Sequence, residues 1–345
     1  MRSFCRPNNF PRGFTLLEVL VTLAILLAIL MAVFEFTQDI DQGWKSASAD
    51  PFAEAADAFD SLALNLSQAT LNPYQDYADA NGAFRTGSNF VPDHLARRSD
   101  LDFVCGPSTG TNGLLTTSGR ITTGSSVFFL APQGYSETEG HAGAEELLNA
   151  FGYFVEFGDE DDLPSFIPSI NCWRWRLKEI RQPAESLQVF ALTSSASWIQ
   201  ELIPSSTALP VEAENVIALV VLPERSANDA GPALAPDFRY DSRDTSNPLT
   251  LHQLPPRINL ALMAIDEPSA RILAQRYGST APPLVSPALF QQASPTQLAS
   301  DLASLDQSLT AQKINHRLFQ REIMLPPRPG RMASINRNSP LLLLL

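Results

Sequence analysis

Arg12-Gly13-Phe14-Thr15-Leu16-Leu17-Glu18 opens the stretch that decides the fold, and Val19 to Phe34 continue it as an almost uninterrupted apolar run. From Phe14 to Phe34 the run has 21 residues and a single charge, Glu18. At about 1.5 Å per helical residue it would reach about 30 Å, the thickness of one bilayer core. The leader before it, residues 1–13, carries Arg2, Arg6 and Arg12 and no acid. Positive charge ahead of a span holds that end in the cytoplasm, so the rest of the chain is expected to be exported.

Three simpler readings compete with a membrane helix that does something specific. A cleaved secretory signal needs a shorter apolar region with a small-residue site directly after it, and the small residues around Glu54 come too late. A buried core helix of this length and uniformity is more than most domains hide. A plain signal anchor accounts for everything except Glu18, whose carboxylate is costly five residues into an apolar run. Snorkelling to the headgroups would relieve that cost without giving the residue a purpose. A specific partner for the carboxylate explains it better.

Gly13-Phe14-Thr15-Leu16-Leu17-Glu18, with a basic residue before and an apolar helix after, resembles the processing motif of type IV prepilins and type II secretion pseudopilins. The resemblance implies cleavage by a prepilin peptidase between Gly13 and Phe14 and N-methylation of the new amino group of Phe14. It also implies assembly with other pilin or pseudopilin subunits, in which the Glu18 carboxylate meets the Phe14 ammonium of a neighbour. Leaving such a buried charge unpaired would cost roughly 3–5 kcal/mol, so neutralisation would set the register between subunits. The implied location is the bacterial inner membrane, crossed once among its lipids, with the leader cytoplasmic and the head in the periplasm or at the cell surface.

The likeness extends along the chain. Phe59-Asp60-Ser61-Leu62, the run Leu66 to Asn72, Tyr74, Asp76-Tyr77, Arg98 to Pro107, Glu214 to Leu219 and Ala261 to Glu267 are similar to a group of large pilin-like proteins, Verru_Chthon cassette protein C. Size and layout are also similar to the J-type minor pseudopilin of type II secretion. Neither likeness implies an enzymatic activity.

Working outward from the apolar run, Phe36, Ile40 and Trp44 continue a helical stripe, and Phe52, Ala55, Phe59, Leu62, Leu66 and Ala69 form another. Pro51 should kink or restart the helix, with Asp50 as its N-cap, and Asn72-Pro73 should stop it. The stripe is expected to pack on the protein's own sheet. Beyond Pro73 the texture becomes short strand-like runs: Leu101 to Cys105, Ser126 to Leu130, Phe151 to Phe157, Trp173 to Leu177, Glu214 to Leu222, Arg257 to Ile265 and Arg317 to Met324. Trp173-Arg174-Trp175-Arg176 alternates, predicting one buried and one solvated face. Val216 to Leu222 is apolar on both faces and reads as a central strand. Ala270 to Tyr277 and Gln297 to Leu309 read as helices. Long polar loops are expected at Asn81 to Asn89, Gly106 to Gly124 and Ser226 to Pro248.

The expected class is α+β, a pilin-like fold with a long N-terminal membrane-spanning helix on a mostly antiparallel head. The expected parts are a leader (1–13), a transmembrane and assembly helix (14–34), a helical stalk (35–72), a β-rich periplasmic head (73–330) and a tail (331–345). The tail ends in five leucines, too few to span a membrane.

Composition narrows the functional classes. The 345 residues carry 24 Lys plus Arg against 37 Asp plus Glu, a net charge of −13. A nucleic-acid partner is not expected, since phosphate binding needs a basic face. No Gly-x-x-x-x-Gly-Lys phosphate loop occurs, so the chain is not an assembly ATPase. Three candidates for chemistry remain. Gly106-Pro107-Ser108-Thr109-Gly110 matches a hydrolase elbow, but a loop follows where the elbow needs a helix. Asp159, Glu160, Asp161 and Asp162 could hold calcium, although EF-hand spacing is absent and a solvated acidic loop is the simpler reading; no other cofactor or metal is expected. Cys105 and Cys172, both read at strand edges, would remain after leader removal and could pair in an oxidising compartment or stay as two buried thiols. An enzyme is therefore not expected. The alternative class is a signal-anchored periplasmic binding protein, adhesin or enzyme, which would need a convergent polar pocket or an adhesive use of the long loops.

Overall fold

The structure is a computed structural model that describes residues 20, 23, 25–27, 29–31, 50–85, 89–110, 113–138, 146–159, 173–190, 195–203, 208–226, 229 and 231–325. The chain divides into two compact units, Met1–Pro51 and Phe52–Leu345. In the first, Leu20, Leu23, Ile25, Leu26, Leu27, Ile29, Leu30 and Met31 are helical and 55–75% exposed. Among the described residues no helix is long and apolar enough to cross a membrane. Most of the Phe14 to Phe34 run, and all of Phe36, Ile40 and Trp44, lie outside the described residues.

The second unit begins with helix α1 (Ala53–Ser67). Its apolar stripe is buried as the spacing predicts: Phe52, Ala55, Phe59, Leu62, Leu66 and Ala69 are each at most 5% exposed. The cap position falls to Phe52 rather than Asp50, and no side chain caps it. A turn at Pro51-Phe52 delays the start of the helix beyond the position expected.

The strands are β1 (Tyr74–Ala78), β2 (His94–Arg98), β3 (Phe103–Pro107), β4 (Ile121–Pro132), β5 (Leu148–Gly158) and β6 (Arg174–Gln182). They continue with β7 (Val211–Glu214), β8 (Val216–Glu224), β9 (Tyr240–Asp241), β10 (Arg257–Ile265) and β11 (His316–Met324). Three more helices intervene: α2 (Ser195–Leu202), α3 (Glu267–Tyr277) and α4 (Pro295–Ala311). All pairings are antiparallel. They make a two-stranded ribbon β1-β2, a three-stranded sheet β11-β10-β8 and a six-stranded sheet β7-β6-β5-β4-β3-β9. The class is α+β with mostly antiparallel sheets.

The two larger sheets pack face to face, with β8 lying against β4, β5 and β6. Every residue of β8 is buried, as its unbroken apolar run predicts. Yet β8 ends its own ladder instead of occupying the centre, which belongs to β10. The neighbouring sheet, not a second hydrogen-bonded strand, excludes water from it. Asn215, at φ 60°, breaks the expected Glu214 to Leu222 strand into β7 and β8. The close approach of the sheets is visible at Gly124. Its φ is +65°, and a Cβ there would stand 2.4 Å from the Leu219 carbonyl oxygen, so only glycine fits beside β8.

The six-stranded sheet has an aromatic ladder. Phe129 stacks on Phe151 at 5.5 Å and on Tyr153 at 6.2 Å. Such offset pairs add about 0.5–1.5 kcal/mol each to their burial. Both later helices begin where side chains cap them: Asp266 accepts from the Ser269 N–H, and Ser294 from the Gln297 N–H. These caps place the starts of α3 and α4 a few residues before the first apolar-periodic position.

Four further expectations are corrected. In β6 the second face is not solvated: Arg176 is 2% and Lys178 8% exposed. Arg176 donates to the Gly158 and Asp159 carbonyls and pairs with Glu214, while Lys178 donates to the Leu209 carbonyl, so each buried charge has partners. The stretch Ser226 to Pro248 is not merely a polar loop. It contains β9 and buries Leu234, Ala235, Phe238 and Tyr240. Likewise β3 and β4 extend into both ends of the expected Gly106 to Gly124 loop. Helix α2 was not expected. It is pinned by Trp198, fully buried, whose indole N–H donates to buried Asp102 at 2.7 Å; Asp102 also pairs with Arg243.

Removing buried methyl groups from the α1 stripe should be expensive and changing its outer face should not. Leu62→Ala is expected to lower unfolding stability by about 2–5 kcal/mol in denaturant titration, whereas Leu64→Ala, at a position 60% exposed, should stay within about 0.5 kcal/mol.

Candidate functional site

Where α1 meets the head, the apolar stripe carries one polar intruder. Asn65 is 5% exposed and follows Leu62 by three residues, on the buried face. Burying an amide without partners would cost a few kcal/mol. Its Nδ2 donates to the Tyr153 hydroxyl at 2.8 Å, and its Oδ1 accepts from Gln133 Nε2 at 3.2 Å. Gln133 also donates to Gln68 at 2.7 Å. The Tyr153 hydroxyl, having accepted from Asn65, donates its single proton to Glu179 Oε1 at 3.0 Å.

The chain of contacts ends at Glu179, which Arg181 approaches at 3.6 Å. Strands β6 and β7 pair Leu177 with Ala213 and Lys178 with Val211, so Glu212 is the extra residue of a β-bulge. A bulge re-aims the side chain it carries. Here it belongs to a half-buried glutamate on the strand beside Glu179. Burial, reinforced by Glu179, pushes Glu212 up to about 7, against the opposing pull of Ser61 and Arg181. Burial and then Glu179 also push the Tyr153 phenol well above its usual range.

The rest of the α1 seat is held at its rim. Glu54 Oε1 accepts from the Glu214 N–H at 2.9 Å. Arg321 pairs with Asp60 at 2.6 Å and lies 5.5 Å over the Phe59 ring, and Arg317 lies 4.7 Å over Phe52. These are exposed contacts worth up to about 1 kcal/mol apiece.

Of the residues singled out from the sequence, Gly13, Phe14 and Glu18 lie outside the described residues. So do Cys172, Glu160, Asp161 and Asp162. Asp159 is described, and its carbonyl accepts from Arg176 at 3.1 Å. Cys105 is not at a strand edge: it sits in the middle of β3, fully buried between Val127 and Tyr240, with its thiol free among the described residues. Ser108 is fully buried and followed by turns rather than a helix, so the elbow geometry is missing. Trp175 is buried against Phe157 at 5.2 Å, and Trp173 packs on the same ring at 5.6 Å. The sequence reading missed Glu179, Glu212 and Tyr153. The one signal for them was Asn65, a polar residue on an otherwise apolar face.

Residues 9–34 match the family model described as the prokaryotic N-terminal methylation motif. The chain thus carries a prepilin motif of the type IV pilin and pseudopilin kind, at the place where Gly13, Phe14 and Glu18 fall. No curated protein and no solved structure matches the chain.

Burial pushes the Cys105 thiol far up, so the reactive thiolate is absent at neutral pH. In reductant, peptide mapping after iodoacetamide treatment should find Cys105 unmodified in the folded protein and modified once the chain is unfolded.

Proposed function

We propose that this protein is a minor pilin- or pseudopilin-like structural subunit of an envelope filament or secretion-type assembly. The methylation motif at residues 9–34 is the observation that carries this reading. The chain is made as a precursor and held in the inner membrane by the apolar run after Phe14, with its leader in the cytoplasm. Prepilin peptidase cuts between Gly13 and Phe14, and the new amino group is methylated. Glu18 then neutralises the amino terminus of an adjacent subunit, which specifies register as membrane lipid is exchanged for neighbouring helices.

Charge distribution fits that role. Losing the three leader arginines takes the net charge from −13 to −16, and Glu18 is the only charge between Phe14 and Phe34. An acidic head on a nearly neutral helix is kept off anionic membrane surfaces and joins its partners through the helix. The bulk of the head suits a tip or priming position better than repeated places along a fibre. The further likeness to Verru_Chthon cassette protein C supports membership of an assembly encoded beside other prepilin-motif proteins.

Two substitutions test this. Gly13→Ala should leave the full-length precursor unprocessed on a gel in cells that contain the peptidase; an unchanged ratio of precursor to mature protein would overturn the cleavage step. Glu18→Leu should preserve membrane insertion and cleavage while abolishing co-purification with other pilin-type subunits. An unchanged yield of assembled subunit would favour a simple anchored binding protein, adhesin or enzyme.

A further inference from the structure

Strand β11 is paired on one side only, by β10. Its hydrogen-bonded pairs with β10 fall on odd-numbered residues. At the two ends of the ladder, in the same register, the Leu325 N–H donates to the Pro256 carbonyl at 3.1 Å and the Asp266 N–H to the Asn315 carbonyl at 3.1 Å. In an antiparallel pair the residues between turn their N–H and C=O the other way. His316, Leu318, Gln320, Glu322 and Met324 therefore direct their backbone groups off the end of the sheet, and among the described residues no backbone hydrogen bond reaches them. The other edges of the two larger sheets are short or covered. Strand β8 lies against β4, β5 and β6, the Glu214 N–H of β7 is taken by Glu54, and β9 has two residues. Strand β11 has nine.

An open edge of that length is a template for another strand, and proteins blunt such edges with charges held over them. Here the charges are drawn off the edge. Arg317 lies 4.7 Å over the Phe52 ring, and Arg321 lies 5.5 Å over Phe59 with Asp60 at 2.6 Å, so both turn toward α1. Glu322 turns back to Arg257 of β10 at 2.8 Å. Gln320 and Met324 are exposed and uncharged. Helix α1 thus covers one face of β11 and leaves its outward backbone open.

We propose that β11 is a docking edge for a second copy of this chain, the two β11 strands pairing antiparallel about a two-fold axis at Gln320. The charge pattern of the strand selects both occupant and register. With Gln320 opposite Gln320 of the second copy, Leu318 meets Glu322, Phe319 meets Arg321, Arg317 meets Ile323 and His316 meets Met324. All nine residues pair and no like charges stand directly opposite. Sliding the second copy by two residues sets Arg321 against Arg321 in one direction and Arg317 against Arg321 in the other, and such pairs are destabilising. In the central register the two Arg321 side chains are diagonal neighbours, each with Asp60 already beside it. The order β8-β10-β11 then runs on into β11-β10-β8 of the second copy. Both open edges are consumed, so the pairing closes at two copies. It needs no other subunit and is independent of the pilin reading.

The test uses the full-length protein in detergent micelles, with protein mass followed by light scattering over a dilution series. Wild type should pass from two copies to one on dilution. Gln320→Pro removes the outward N–H at the axis while the β10 ladder keeps its bonds, and should weaken association about tenfold or more with little change in melting temperature. Should that variant fail to fold, Gln320→Lys places a charge on an exposed side chain and should weaken association in the same direction. Gln320→Cys should oxidise to a covalent dimer much faster than Glu322→Cys. Paired residues at the axis have Cα atoms about 5.5 Å apart, whereas the two Glu322 positions lie more than about 13 Å apart. Wild type that stays single throughout, association unaltered by both Gln320 substitutions, or equal cross-linking of the two cysteine variants would overturn the proposal. So would pairing seen only after removal of residues 326–345, which would make that segment, directly following β11, the occupant of the edge.

Discussion

Burial of one face of α1 is the interaction on which the head depends. The helix touches β10 and β11 of the smaller sheet and β4 and β7 of the larger one. A sheet pair packed only through its own inner faces would leave the edges β7 and β11 open to water. The stripe from Phe52 to Ala69 covers the apolar surface at both, and Phe59 meets Phe319 of β11 at 5.8 Å. Between its two phenylalanines and after them the buried face is alanine and leucine, apart from Asn65. The acidic residues of α1 are left to the rim, where Arg321 and Arg317 meet them or the rings beside them.

Against that apolar contact the polar seat stands out as a cost. Asn65, Tyr153, Glu179 and Glu212 occupy volume that leucine or phenylalanine could fill. Asn65, Tyr153 and Glu179 are satisfied in sequence by one another, and a bulge in β7 sets Glu212 on the neighbouring strand. The same principle governs the other buried charges. Arg176, Lys178 and Asp102 are all within the head, and each is met by a carboxylate, a carbonyl or an indole N–H. The head tolerates ionisable groups inside because its long strands bring carbonyls and carboxylates from distant parts of the chain to the same depth.

Much of the architecture was legible in advance. The α1 stripe, the strand Arg257 to Ile265 and the apolar run of β8 follow local periodicity, which the sheet and helix repeats impose directly. What escaped notice depended on partners far away in sequence. Trp198 is 96 positions from Asp102, and nothing in Ser195 to Leu202 alone marks it as a docked helix. Arg176 reads as a solvated residue until Gly158, Asp159 and Glu214 converge on it. Phe238 and Tyr240 sit in a stretch rich in Pro, Asp and Ser; Tyr240 is buried where β3 accepts β9 as a short neighbour, and Phe238 where it packs with Val220, Leu222, Leu298 and Leu302.

The division between chain and fold is therefore a physical one. By itself the sequence determined the prepilin motif and the acidic balance of the chain, because a cleavage motif is a contiguous string and charge is a sum over residues. Neither needs a folded context to be read. Which hydroxyl meets which carboxylate, which arginines are buried and which cysteine is shielded were decided only by the tertiary structure. Those properties depend on distance and dielectric, and residues such as Asn65, Tyr153 and Glu179 acquire both only when α1 settles on the sheets.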